Sequence, residues 1–124
     1  IAAKLGINPA ACFKTIVMRN ESKQIFVFCQ SAIHEINLKK ARNASASKEI
    51  NPVKPDELLA LTGYIRGGCS PLGMKKKFPT FIDQTALDFE KIYISAGVRG
   101  QQIVISPADL VKATDAQSVD LVLE

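Results

Sequence analysis

The sequence GYIRGGCSPLGMKKKFPTFID, residues 63–83, contains four glycines, a Ser-Pro pair and three consecutive lysines within its first fifteen positions. This spacing is too irregular for one strand and leaves no uninterrupted run for a helix. Gly67 and Gly68 have no Cβ, so a ligand or a crossing strand can approach their amides, and both residues accept positive φ at little cost. The stretch therefore predicts a loop that brings backbone close to another group, and we call residues 63–77 the glycine loop.

Positive charge is concentrated in this loop. No acidic residue lies between Glu57 and Asp83, whereas four cations do, and four is also the net positive charge of the whole chain; they are Arg66, Lys75, Lys76 and Lys77. A clustered positive field favours an anionic partner such as a phosphate backbone. A solvated cationic surface without a partner is the alternative reading of a lysine run.

Length and composition restrict the classes of protein that remain. The chain has 124 residues, of which 47% are hydrophobic and 23% charged, as expected for one globular domain. No stretch is apolar for the roughly 18 residues that a membrane span needs. The three cysteines lack Cys-x-x-Cys spacing and favour a reducing, cytoplasmic location. One histidine without a Cys/His cluster excludes an ordinary zinc site, and we expect neither a metal nor a cofactor.

The remaining chain alternates short strand patterns with a few helix patterns. Residues 1–5 resemble the end of a helix stopped by Gly6. A hairpin is predicted over residues 13–30, because hydrophobic residues alternate on both sides of a polar turn. Helices are predicted at 38–44, from Pro55 and from Pro107, and further strands at 80–83, 91–95, 102–105 and 119–123. Strands that outnumber helices predict an α+β fold with a mixed, mostly antiparallel sheet and flanking helices.

Lys14 is the most informative single residue outside the glycine loop. It shares one strand face with Ile16 and Met18, so alternation directs its ammonium toward the interior or a pocket. A buried ammonium requires an anion or a developing oxyanion nearby. A lysine at the start of a strand can instead extend to solvent while its methylenes cover apolar surface.

The glycine loop and three further segments resemble the YbaK/EbsC family of bacterial prolyl-tRNA editing-like deacylases. The loop matches the family's GY-x-x-GG-x-SP-x-G-x-KK signature, and Phe13-Lys14-Thr15 matches its [FY]KT element. Residues 37–41 match the NLKK segment and residues 92–100 the IY-x-S-x-G-x-RG segment. The resemblance extends along almost the whole chain. It implies that residues 1–124 form one deacylase domain.

The resemblance implies a partly closed barrel, and an N-terminal strand and helix that would precede Ile1. It implies hydrolysis of a mischarged aminoacyl-tRNA, with Cys-tRNA(Pro) as the first candidate and prolyl-tRNA synthetase as an optional partner. For a cysteinyl ester it implies attack by the substrate's own thiol. Two alternatives remain open, namely a deacylase for another small amino acid and a non-catalytic module that binds tRNA or a synthetase.

Site residues follow from the matched motifs. Lys14, Gly67 and Gly68 are the expected catalytic groups, the glycines through backbone N–H donors to a carbonyl oxygen or phosphate. Arg66, Lys75, Lys76 and Lys77 are expected to contact the tRNA backbone. Substrate binding is expected from a larger set, which comprises Tyr64, Cys69, Ser70, Pro71, Gly97, Arg99 and Gly100.

Ser70, Cys69 and Gln102 each leave a question about substrate binding open. A turn role suits Ser70 as well as substrate binding does, and Cys69 is expected to be a small hydrophobe rather than a nucleophile, since His34 is the only imidazole in the chain. Many family members carry an acid where this chain has Gln102. An amide cannot balance a substrate ammonium, so the amino-acid specificity is open.

Overall fold

The computed structural model describes residues 7–123, and the helix end predicted at residues 1–5 lies outside this part. The strands are β1 (Phe13–Asn20), β2 (Ile25–Ser31), β3 (Ile50–Pro52), β4 (Thr80–Asp83), β5 (Ile92–Ser95), β6 (Gln102–Ile105) and β7 (Gln117–Val119). The helices are α1 (Leu38–Ala44), α2 (Pro55–Thr62) and α3 (Pro107–Thr114). The predicted α+β class is confirmed.

The helices begin and end where local side-chain chemistry dictates. The Asn37 carboxamide oxygen accepts from the N–H groups of Lys39 and Lys40 at the start of α1. The Ser106 hydroxyl accepts from Asp109 N at the start of α3, and Gly63 ends α2 with a φ of +85°. None of the helices described within residues 7–123 has the length and apolarity that crossing a bilayer requires.

The strands form a five-stranded sheet and a separate two-stranded sheet. The larger sheet has the order β3-β1-β2-β4-β7, and β5 pairs with β6. Pairings of β1 with β2 and β3, and of β5 with β6, are antiparallel, whereas β2–β4 and β4–β7 are parallel. The mixed sheet is therefore confirmed. Among the strand pairings of residues 7–123 no closed barrel is found, and a single parallel bridge between Cys12 and Tyr93 joins the sheets.

The central strand β2 is buried on both faces, as its two apolar alternations predict. One hydrophobic cluster contains Val27 and Cys29 and includes Leu58, Ile92 and Ile94. The other lies against α1 and is built from residues that include Met18, Phe28, Phe81 and Leu121. The sheet thus lies between two cores, of which the first supports the glycine loop through Cys69.

The C-terminal strand, predicted at 119–123, instead spans Gln117–Val119 and shares only Val119 with the prediction, because a carboxylate takes the place of a partner strand beyond that residue. The Leu121 N–H donates to Asp83 Oδ1 at 2.7 Å, and Asp83 is fully buried. Oδ2 of the same carboxylate accepts from the Thr85 N–H and hydroxyl. Strand β7 therefore ends at Val119, and Val122 forms an isolated bridge with Ile36.

One edge of β1 is open along half of its length. Strand β3 pairs only with Met18, Arg19 and Asn20, and the Val53 N–H donates to Val17 O at 3.0 Å. At the other end, the bridge to Tyr93 involves Cys12. Residues 13–16 consequently border open space on the side facing away from β2, and the functional site is built around them.

Candidate functional site

The glycine loop is folded upon itself by internal hydrogen bonds. The Gly68 N–H donates to Ile65 O at 3.0 Å, and the Ser70 hydroxyl accepts from the Leu72 N–H at 3.2 Å. The Tyr64 hydroxyl donates to the Leu72 carbonyl. These bonds fix the loop without repetitive secondary structure, and they show that Ser70 has the turn role that its position before Pro71 suggested.

A second turn, residues 96–101, packs directly on the glycine loop. The Ala96 N–H donates to Gln101 O at 3.0 Å and closes this turn, and Arg99 Nε donates to Arg66 O at 2.8 Å. A Cβ built on Gly68 would lie 3.1 Å from Gly97 O. Gly68 is therefore needed for the close approach of two backbones. The sequence predicted that a ligand or a crossing strand could approach the paired glycines, and at Gly68 the approaching segment is this turn.

A cavity of about 380 Å³ lies between the open edge of β1, the glycine loop and the second turn. We call it the loop cavity. Its lining residues come from all three segments and from the end of β2; they are Cys12, Phe13, Lys14, Thr15, Ala32, Gly67, Cys69, Ser95, Gly100, Gln101 and Gln102. Its size is that of a small-molecule site, and none of its lining residues is acidic.

Lys14 lines the loop cavity together with Gly67, but it is exposed. Of the interior and the pocket toward which alternation was predicted to direct Lys14, it reaches a pocket, and it remains exposed there. On the same face Met18 is 1% exposed and Ile16 is half-buried, so burial decreases toward the start of the strand. The cause is the open edge of β1, where Lys14 has a paired strand on the β2 side only. Its ammonium can thus reach an anionic ligand without the large cost of burying an unpaired charge.

Of the paired glycines, only Gly67 faces the loop cavity. It has a φ of +88°, and within the described part of the chain its N–H has no acceptor. The Gly68 N–H is already bonded to Ile65 O. Gly67 is thus the glycine of this pair whose amide can donate to a ligand oxygen.

The other predicted substrate-binding residues divide into two groups. Cys69 and Gly100 line the loop cavity, whereas Tyr64, Ser70, Pro71, Gly97 and Arg99 do not. In the second group, Tyr64, Gly97 and Arg99 join the glycine loop to the second turn. The Tyr64 ring packs where a Gly97 side chain would be, 2.9 Å from the position of its Cβ, and Arg99 bonds the glycine loop through Arg66 O.

The predicted tRNA-contacting cations have different surroundings. Lys76 and Lys77 line a different cavity, of about 200 Å³, and Lys77 forms a salt bridge with Asp115. Lys75 lies over Gly63, whose Cβ would be 3.3 Å from the Lys75 Cγ. Arg66 instead lines a cavity on the other side of Lys14. Arg66 is therefore the predicted backbone contact that lies beside Lys14.

The thiol of Cys69 is not activated as a nucleophile. Burial raises its pKa to about 11, and the pKa of the fully buried Cys29 is raised to about 12, also by burial. A thiolate, not a thiol, is the attacking species, so Cys69 remains inert near neutral pH. His34 does not line the loop cavity. The geometry agrees with the expectation that Cys69 is a small hydrophobe.

These two thiols make an alkaline loss of stability predictable. Both pKa values are higher in the folded chain than the usual value of 9.0, so the unfolded chain releases these protons first. Their contribution is complete below pH 9 and is lost as the pH rises through 11 to 12. We expect the free energy of unfolding, measured with urea, to fall between pH 9 and pH 11. The decline should be smaller in a Cys69→Ala variant, and an equal decline would contradict the assignment.

Several cavity residues were not identified from the sequence. Thr15 and Ser95 belong to the matched motifs and could have been included on that basis. The same holds for Phe13, which precedes Lys14 in its motif. No sequence signal marked Gln101, Cys12 or Ala32, because their position at the cavity depends on how the second turn and the open edge of β1 meet.

Comparisons with known proteins identify the family of this chain. The family model of an aminoacyl-tRNA editing domain matches residues 1–113. EbsC of Enterococcus faecalis, described as a candidate Cys-tRNA(Pro)/Cys-tRNA(Cys) deacylase, is 39% identical over 121 residues, covering 98% of this chain and 74% of EbsC. The proline–tRNA ligase of Bacillus licheniformis is 29% identical over 83 residues, which cover 67% of this chain and 14% of the ligase.

The fold is shared with a solved structure described as a candidate trans-editing enzyme for prolyl tRNA synthetase. The TM-score is 0.91 at 24% identity, and the match covers 99% of this chain and 77% of that one. Because the family model spans nearly the whole sequence and a relative is 39% identical along it, this chain belongs to the aminoacyl-tRNA editing domain family.

Proposed function

We propose that this chain hydrolyses mischarged aminoacyl-tRNA in trans, with Cys-tRNA(Pro) as its first substrate. Family membership supplies the editing activity, which is cleavage of the ester between an amino acid and the terminal ribose. The observation that carries the finer proposal is the loop cavity, where an exposed ammonium and a backbone N–H without an acceptor share one space of about 380 Å³. Both groups recognise oxygen atoms that carry negative charge or develop it.

In this proposal the two donors have different tasks. The Gly67 N–H donates to the carbonyl oxygen of the ester and stabilises the charge that this oxygen develops during attack. Lys14 binds a phosphate of the acceptor end and fixes the position of the ester. An aminoacyl ester is already activated, so positioning and charge stabilisation suffice without a base in the cavity.

The nucleophile is supplied by the substrate when the amino acid is cysteine. Its thiol attacks its own carbonyl carbon, a carbon–sulfur bond forms, and the ester carbon–oxygen bond breaks. The ribose oxygen leaves with the thiol's proton, and water then opens the cyclic thioester. Cys69 is not the nucleophile in this route, which is consistent with the burial that raises the pKa of its thiol to about 11.

A panel of tRNA(Pro) charged with cysteine, serine or alanine tests this proposal on the full-length protein. We expect the cysteinyl ester to be hydrolysed about tenfold faster or more, because oriented intramolecular attack is unavailable to the other two. Equal rates for cysteine and serine would contradict the thiol route and favour a deacylase of broader specificity, using water or the ribose hydroxyl. Binding that weakens with salt, without turnover of any ester, would favour a tRNA-binding module.

A further inference from the structure

A second cavity, of about 430 Å³, lies beside the loop cavity and has no part in the chemistry described above. We call it the edge cavity. Its walls are mainly apolar and come from the end of β3, the segment after it and the start of α2, including Pro52, Val53, Pro55 and Leu58. Two cations, Lys14 and Arg66, also line it, and no lining residue is acidic.

The two cavities adjoin one another across the open edge of β1. Lys14 and Thr15 line both, so the cavities share this wall. On the glycine loop, Arg66 lines the edge cavity and its neighbour Gly67 lines the loop cavity. A ligand chain that leaves the loop cavity along β1 therefore passes between Lys14 and Arg66 and enters the edge cavity.

The nearest carboxylates do not oppose an anion at this passage. Asp56 and Glu57 lie in the first turn of α2, but neither lines the edge cavity. Glu57 forms a 2.5 Å salt bridge with Arg19, which neutralises one of these charges. Arg66 is exposed, and no carboxylate within residues 7–123 forms a salt bridge with it or with Lys14. Both cations are thus available to an external anion.

We propose that the edge cavity binds the penultimate nucleotide of the acceptor end. This inference rests on the proposed function and extends it. The phosphate that joins the last two nucleotides lies between Lys14 and Arg66, where a cation on each side can pair with it. The base of the penultimate nucleotide packs on the apolar wall formed by Pro52, Val53 and Leu58. The chain thus recognises two nucleotides, one in each cavity.

The assignment explains two features that the loop cavity alone does not. An exposed lysine at the boundary of two cavities suits a phosphodiester, which must lie between two nucleotides, better than an amino-acid side chain. An apolar cavity flanked by cations matches a nucleotide, which combines an apolar base face with an anionic linkage. A free amino acid has neither feature.

Comparison of two substrates tests the assignment, namely Cys-tRNA(Pro) and cysteinyl-adenosine, which lacks the penultimate nucleotide. In a Val53→Glu variant a carboxylate enters the edge cavity and repels the phosphate. We expect kcat/KM for Cys-tRNA(Pro) to fall by about tenfold or more, with the rate for cysteinyl-adenosine unchanged. Val104→Glu is the matched control, since Val104 is 50% exposed on β6 and lines neither cavity. It should leave both rates unchanged.

Val53 is half-buried, so Pro52→Glu at the neighbouring exposed position provides a second variant with the same expected result. Equal losses for both substrates in folded variants, or no loss for either, would overturn the edge-cavity assignment while the wild type remains active. A wild-type protein that hydrolyses neither compound would overturn the proposed function, and this inference with it.

Discussion

Replacing Lys14 with alanine is expected to lower kcat/KM for deacylation of Cys-tRNA(Pro) by about 100-fold or more, the loss that misplacement of the reacting ester by about 1 Å can cause. Lys14 lines both the loop cavity and the edge cavity, and in the proposed function it binds the phosphate between the last two nucleotides. The side chain is exposed, and its removal deletes no core packing. The free energy of unfolding should therefore be unchanged, and the rate loss should reflect function alone.

Two further variants separate position from charge. Lys39→Ala removes an exposed lysine on α1 that lines neither of the two cavities, and it should leave kcat/KM near the wild-type value. Lys14→Arg keeps the charge but alters its geometry, so an intermediate rate is expected. Wild-type activity in Lys14→Ala, measured under single-turnover conditions, would refute the role given to this residue.

Gly97→Ala is expected to destabilise the protein by about 2–4 kcal/mol, through left-handed backbone strain and overpacking together. Gly97 has a φ of +93°, and its added Cβ would lie 2.9 Å from Tyr64 Cε1. The Tyr64 ring cannot retreat freely, because its hydroxyl donates to Leu72 O. We therefore expect the second turn to separate from the glycine loop and deacylation to be lost together with stability.

Gly100→Ala is a matched control for this effect. Gly100 has a φ of +81°, yet a Cβ built on it meets nothing within 4 Å. This variant should cost about 1–2 kcal/mol from backbone strain alone. Urea unfolding of both variants measures the difference, and equal losses would show that the contact between Tyr64 and Gly97 contributes nothing.

The sequence predicted the local elements well because their signals are local. Asn37 and Ser106 accept hydrogen bonds from the first turns of α1 and α3, and Gly63 ends α2 in the left-handed conformation. These interactions involve residues within four positions of each other, so they can be read from spacing. The two apolar alternations of β2 likewise predicted a strand covered on both faces.

Sequence pattern left burial and contact undecided wherever a distant segment determines them. The alternation in β1 places Lys14 on an apolar face, but the open edge of the strand leaves it exposed. The sequence predicts that the three lysines of the glycine loop contact an anionic partner, and it gives no signal that Lys77 pairs with Asp115, 38 positions away. Neither outcome is encoded in neighbouring residues.

By itself the sequence determined the class of fold, the positions at which the helices begin, the glycine loop and the resemblance that led to the family. Only the tertiary structure decided that Gly68 accommodates Gly97 O while Gly67 faces the cavity, and that Lys14 separates two cavities. The physical reason is range. Capping, turn geometry and alternation act within a few residues, whereas a cavity exists only where segments remote in the chain fail to fill the space between them.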